Sequence, residues 1–150
     1  MLFNQTAEYA LRAMSCLATH EGAALLSSED LAATTHIPVQ YVPKVMRPLA
    51  QAGLVEARRG RNGGFRLARP SDQIRLSDVL QAAGVMPDPE HCAFGLLRCN
   101  PMEPCPLHSS WSKLGLAVDA WAYGTTLADL RQGSRSNAWP RPLAPTPGDP

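Results

Sequence analysis

Apolar positions near the amino terminus recur at helical spacing. Ala7, Ala10, Leu11, Met14, Leu17 and Ala18 fall three or four residues apart and predict a helix from Asn4 to His20 with one buried stripe. Glu21 and Gly22 end it, the glycine supplying a left-handed stop. Ser27 and Ser28 predict the cap of a short helix from Glu29 to Thr34, with Glu29 and Asp30 favoured at its positive end. A third helix is predicted from Gln40 to Ala52, with Val42, Val45, Met46 and Leu49 on its apolar face and Gln40, Lys44, Arg47 and Gln51 opposite. Pro43 suits a first helical turn, whereas Pro48 predicts a kink or an early break, because an interior proline removes a hydrogen bond and clashes with the turn before it.

Leu54 to Arg58 and Phe65 to Ala68 read as short strands, joined by Arg59-Gly60-Arg61-Asn62-Gly63-Gly64, a tip whose three glycines can take positive φ. Ser77 and Asp78 open a short helix ending at Ala83, and residues 84–105, rich in Gly, Pro and Cys, predict no regular element. A long helix follows from Ser109 to Tyr123. Its seam of Leu107, Trp111, Leu114, Val118 and Trp121, at steps of four and three, suits packing on another helix, and pairing between two subunits is the favoured use. Residues 133–150 hold five prolines and predict a disordered tail.

The expected fold is mainly α with a small β-hairpin wing: a winged helix-turn-helix followed by a long C-terminal dimerisation helix. The expected division is a DNA-binding domain at 1–83, a cysteine-bearing loop at 84–108, a dimerisation region at 109–132 and the tail at 133–150.

Charge sharpens this picture only when mapped along the chain. Residues 40–70 carry seven bases against one acid, Glu56, a net +6 that leaves −5 for the rest of a chain whose total is +1. A basic segment on a nearly neutral protein is the footprint of a nucleic-acid reader. Gln40, Tyr41, Lys44 and Arg47 lie on the helix that would enter the major groove of double-stranded DNA. Arg58, Arg59 and Arg61 lie on the wing, within reach of phosphates or a narrow minor groove. No apolar run approaches the roughly 20 residues that span a bilayer, so no membrane association and a cytoplasmic location are expected.

Cys92, Cys99 and Cys105 have the spacing C-x6-C-x5-C between two predicted helices. Thiols this close in a reducing compartment point to metal or redox chemistry rather than to structural disulfides. A zinc finger grips its ion with close C-x2-C pairs, which this segment lacks. Wider spacing in a loop suits a larger inorganic cluster, and three cysteines leave one coordination position for another ligand. Structural zinc, or a thiol trio without metal that forms disulfides on oxidation, remains open.

Glu8-Tyr9-Ala10-Leu11-Arg12-Ala13-Met14, Gly53-Leu54-Val55 and the stretch Arg59-Gly60-Arg61-Asn62-Gly63-Gly64-Phe65-Arg66-Leu67-Ala68-Arg69-Pro70 resemble the Rrf2 family of transcription regulators. The family includes IscR, NsrR and RirA, and the resemblance covers about residues 1–130. It implies a homodimer joined through the long helix, reading a palindromic DNA operator, with a four-iron or two-iron iron–sulfur cluster that responds to nitric oxide, redox state or iron. It also implies metal ligation by Cys92, Cys99 and Cys105, with the fourth ligand being Glu8, as a carboxylate from the partner subunit, His108, whose imidazole is also a plausible ligand by chemistry alone, or else solvent or a small thiol. Two departures stand out. One extra residue separates Cys92 from Cys99, and Pro38 and Gln40 replace the serines that commonly open the family's recognition helix, so operator preference does not transfer.

Other candidate ligands have plainer readings. Cys16 sits among Ala and Leu as a packed small hydrophobe. His20 reads as a helix-end residue, His36 as a turn residue and His91 as a loop residue beside Cys92. No Cys-His-Asp arrangement for nucleophilic attack and no glycine-rich phosphate loop before a helix is legible, so the chain is not expected to be an enzyme.

Overall fold

The computed structural model describes residues 3–86, 91–95 and 98–133. The tail expected at 133–150 lies, beyond Gly133, outside the described residues, as do parts of the cysteine segment. Six helices and one hairpin are described: α1 Gln5–Thr19, α2 Ser28–Thr35, α3 Val42–Gln51, β1 Val55–Arg58, β2 Gly64–Leu67, α4 Leu76–Ala82, α5 His108–Gly124 and α6 Leu127–Gly133. No helix among them is long and apolar enough to cross a membrane.

The start of α1 is fixed by Asn4, whose side-chain oxygen accepts from the Ala7 N–H at 3.0 Å. The stripe anticipated on this helix is buried at Ala7, Ala10, Met14, Leu17 and Ala18, and Tyr9, Ala13 and Cys16 are buried with it. Burial raises the Cys16 thiol to about 11, as befits a packed small hydrophobe. Ser27 caps α2 reciprocally: its hydroxyl accepts from the Asp30 N–H at 3.1 Å, and the Asp30 carboxylate accepts from the Ser27 N–H at 3.2 Å. His36, exposed and left-handed at φ 56°, turns the chain toward the next element.

The third helix departs from expectation at both ends. It opens as a 3₁₀ turn, Val39–Tyr41, so Gln40 and Tyr41 precede α3 rather than lying in its first turn. At the other end α3 runs through Pro48 to Gln51 without breaking. Proline cannot donate to the Lys44 carbonyl, but Lys44 is exposed and water reaches that side. The opposite face holds the helix in place through buried Val42, Val45, Met46 and Leu49.

β1 and β2 pair antiparallel, with Val55 opposite Leu67 and Arg58 opposite Gly64. Leu26 adds a bridge to Phe65, with hydrogen bonds of 2.8 and 3.0 Å, fastening the α1–α2 connection to the wing. At the tip the positive φ values fall on Gly60, Asn62 and Gly64; Gly63, expected to share this role, does not. Gly63 is needed for space instead, since a Cβ there would lie 2.2 Å from the Arg58 carbonyl oxygen. α4 opens one residue earlier than Ser77, with the Asp78 carboxylate accepting from the Arg75 N–H at 2.9 Å.

Periodicity gave no warning of a 3₁₀ turn at Ser71–Gln73 or of α6, both too short to carry a repeat. After α5 the chain returns to the main body. Thr126 bridges Arg75, the Leu127 N–H donates to the Ile74 carbonyl at 2.9 Å, and Leu127 is fully buried in the principal core. The stretch read as one dimerisation region therefore divides, with α5 lying over α4 and α6 packing against α1.

Glu21 locks this return. Its carboxylate accepts from Ser71 N and Oγ at 2.8 and 2.6 Å and from the Arg131 guanidinium at 2.7 Å. The Ser71 hydroxyl and N–H hold its pKa below the ordinary carboxylate value of 4.5, and Arg131 adds to this. A carboxyl lowered in the folded state stabilises above the unfolded value and loses that contribution as pH falls through the folded one. Glu21→Gln should therefore lower unfolding stability by about 1 kcal/mol at neutral pH, with the difference from wild type closing as the solution is acidified below 4.5. Denaturant titrations across pH measure this; a gap that stays constant on acidification would remove the ionic contribution.

Candidate functional site

Two groups of chemistry-bearing residues occupy opposite parts of the chain. The first is the exposed surface of the 3₁₀ turn, α3 and the wing. Gln40, Tyr41, Lys44 and Arg47 are all exposed, as are Arg58 at the end of β1 and Arg59 and Arg61 in the tip. On α3 this follows from amphipathicity: burying Val42, Val45, Met46 and Leu49 turns Lys44 and Arg47 outward, with Gln40 on the same side one turn earlier. Tyr41 is braced from behind by Tyr9, whose ring lies 6.2 Å away, and Tyr9 is held by the Gln5 amide at 3.0 Å and the Arg12 guanidinium 5.7 Å above its ring.

Not every base of this segment is equally free. Arg66 pairs with Glu56 directly across the strands at 2.5 Å, so part of the charge read from composition is internal to the wing. Asn62, unremarked as a functional residue in the sequence, has φ 64° and, with the Gly63 N–H to Gly60 carbonyl bond at 2.9 Å, shapes the turn that presents Arg61. The Asn-Gly dipeptide is the signal that could have found it.

The second group lies at the start of α5. Cys92 is buried, and Cys99 and Cys105 are half-buried. The Cys99 thiol is pushed up by loss of hydration and then by the neighbouring Cys92 and Cys105, so all three sulfurs share one electrostatic neighbourhood. His108, the first residue of α5, places Nδ1 3.2 Å from the Cys99 sulfur, and its N–H donates to the Cys105 carbonyl at 2.9 Å. Glu8, the other candidate ligand, is half-buried in the first turn of α1. His91 is exposed next to Cys92, while His20 is exposed with its ring beside the Cys16 carbonyl, as its reading at a helix end implied. Among the described residues, no three His, Cys, Asp or Glu side chains are disposed to hold a single metal ion.

The seam of α5 is divided in its surroundings. Val118 is buried within its own chain, Trp111 is half-buried, and Leu114 and Trp121 are 43% and 40% exposed. Phe3 packs on Trp121 with ring centroids 5.6 Å apart. Leu116, outside the anticipated seam, is the most exposed leucine of the helix. Trp111 has a task that its spacing did not reveal: its indole N–H donates to the His91 carbonyl at 2.7 Å, tying the cysteine segment to α5. A partly buried indole N–H needs an acceptor, and that requirement was the available clue.

This architecture, a helix-turn-helix with a basic two-stranded wing, is that of a winged-helix protein. The family model described as Rrf2, iron-dependent transcriptional regulator, matches residues 3–133, and the chain belongs to that family. An HTH-type transcriptional regulator of Aquifex aeolicus is 33% identical over 132 residues, spanning 87% of this chain and 91% of that protein. The protein rrf2 of Nitratidesulfovibrio vulgaris is 29% identical over 130 residues, with 87% of each covered. Among solved structures, CymR, the global cysteine regulator of B. subtilis, superposes with a TM-score of 0.73 at 26% identity over 87% of this chain and 96% of its own. IscR of T. potens gives 0.68 at 25% identity, covering 87% and 85%.

The wing is held to the body through Gly64. A Cβ there would lie 2.3 Å from the Leu26 carbonyl oxygen, and its φ of 153° disfavours any side chain. Gly64→Ala should break the Leu26–Phe65 bridge, cost roughly 2 kcal/mol of stability and weaken DNA binding without changing the protein's charge. Thermal melts and binding to a mixed duplex test this together; an unaltered melt and affinity would mean that the bridge does not position the wing.

Proposed function

We propose that this protein is a homodimeric regulator of transcription whose occupancy of a palindromic operator responds to an iron–sulfur cluster, four-iron or two-iron, held by Cys92, Cys99 and Cys105. The observation that carries the reading is the gathering of three thiols and the His108 imidazole at the foot of α5. Soft thiolate donors suit iron–sulfur centres, and the neighbouring Cys92 and Cys105 oppose ionisation of the Cys99 thiol, a repulsion that a bound cation would relieve. The family's description as iron-dependent agrees with this. When bound, the cluster supplies iron open to nitric oxide, oxidants or loss.

His108, with Nδ1 3.2 Å from the Cys99 sulfur, is the candidate this contact supports for the fourth position. Glu8, on α1, serves in that role only if it is brought across from the partner subunit. The chain supplies the coupling. The bonds from Trp111 to the His91 carbonyl and from His108 N–H to the Cys105 carbonyl join the thiol segment to α5 at two points. A change in the thiol set thus bears directly on the helix whose exposed Leu114, Leu116 and Trp121 suit pairing with a second copy. The relative setting of two recognition elements then follows the state of the thiols, as a bias on a two-state dimer. On the DNA side, Gln40, Tyr41, Lys44 and Arg47 face the major groove, while Arg58, Arg59 and Arg61 engage phosphates or the minor groove.

A second reading rests on one feature: the Cys92 and Cys99 thiols are within hydrogen-bonding reach of each other. Oxidation of that pair by a peroxide, forming a disulfide as the peroxide is reduced, would give a thiol-redox regulator without metal; structural zinc is the remaining occupant.

Anaerobic reconstitution with iron and sulfide, followed by native mass spectrometry, separates these readings. Wild type should be brown and carry inorganic sulfide, and His108→Ala should hold the cluster less firmly than Glu8→Ala. A colourless, iron-free protein that resists reconstitution would sink the cluster reading. For the wing, replacing Arg59 and Arg61 together by Ala should weaken binding to every duplex and flatten the salt dependence by about two counterions. An unchanged affinity would remove the wing from the interface.

A further inference from the structure

Among the described residues, the turn that opens the recognition element carries two exposed side chains outside the core, Val39 and Gln40. Ile37 and Val42 anchor its ends, at 2% and 1% exposure. Pro38 restricts the backbone, the Tyr41 N–H closes the turn onto the Pro38 carbonyl at 2.8 Å, and Tyr41 rests against Tyr9. Between these anchors stand Gln40, exposed, and Val39, a β-branched apolar residue left 44% exposed. Val39 is an unusual aliphatic residue on an exposed surface whose other members are Gln40, Tyr41, Lys44 and Arg47. No Asp or Glu occurs from Val39 to Gln51, so nothing on this face can accept a hydrogen bond from the cytosine amino group as a carboxylate would.

Building on the operator-reading role proposed above, we infer that Val39 and Gln40 are the specificity-determining residues, and that they select adjacent A·T pairs in each half-site. The Gln40 amide has the donor and acceptor to pair with adenine N6 and N7 together, and Val39 offers an apolar surface to the 5-methyl of thymine. Both contacts come from a segment whose backbone is already fixed, so little ordering is lost when DNA binds. Lys44 and Arg47, further along the same face, add affinity through phosphate or guanine, and Tyr41 is a positioning residue.

The test uses the full chain, prepared anaerobically and in air, and a selection from random duplexes. The selected half-site should contain adjacent A·T pairs. In that duplex, replacing the thymines by deoxyuridine removes only the methyl groups and should weaken wild-type binding about fivefold, while Val39→Ala should bind with no further loss on the same replacement. Gln40→Ala should lose about tenfold on the selected site, and 7-deazaadenine should cost wild type but not this variant. The melting temperatures of both variants should match wild type because both residues are exposed, and any loss on bulk DNA should be smaller than the loss on the selected site. A deoxyuridine penalty that persists in Val39→Ala, or a selected half-site with G·C pairs there, overturns this inference alone. Failure of both preparations to select any sequence over bulk DNA overturns the operator-reading role as well.

Discussion

The molecule depends on the close approach of several elements to one central helix. α1 packs against α2, α3, α4, α6 and β2, and it can do so because much of its buried surface is alanine: Ala7, Ala10, Ala13 and Ala18 are each at most 1% exposed. A bulkier side chain at any of these positions would have to push a helix away, since interiors are packed as densely as crystals. Met14 and Leu17, both buried in the same core, fill space alongside these alanines.

That central packing makes the two functional regions mechanically continuous. α1 carries Glu8 and, one residue on, Tyr9, which braces Tyr41 at the recognition turn. The end of α1 leads to Glu21, which holds the segment before α4 and the final helix together. α4 in turn supports α5, whose first residues meet the thiols. Each link is a packed contact or a short hydrogen bond. The wing is attached differently, by the Leu26–Phe65 bridge, and takes its position from the α1–α2 connection.

Much of this was legible before any coordinates. The α1, α2 and α5 boundaries fell within a residue or two of the periodic pattern and its caps, because local spacing and capping chemistry act over one or two turns. The hairpin was marked by its glycines and the thiol group by its spacing. Errors arose where the deciding contact was remote. Pro48 did not end α3, because four buried side chains outweigh one missing hydrogen bond. α6 carries too little pattern to be seen, and forms because Leu127 meets a core assembled from the other end of the chain.

By itself the sequence determined the periodic helices, the basic hairpin and the soft-donor character of the 92–105 segment, since each depends on residues near one another in the chain. Only the tertiary structure decided that His108 stands beside Cys99, that Trp111 ties the thiol segment to α5, and that Val118 turns inward while Leu116 and Trp121 face out. It also decided which arginine of the wing is engaged by Glu56. These assignments depend on which distant surface arrives opposite each side chain, and that is set by the packing of whole helices rather than by any local pattern.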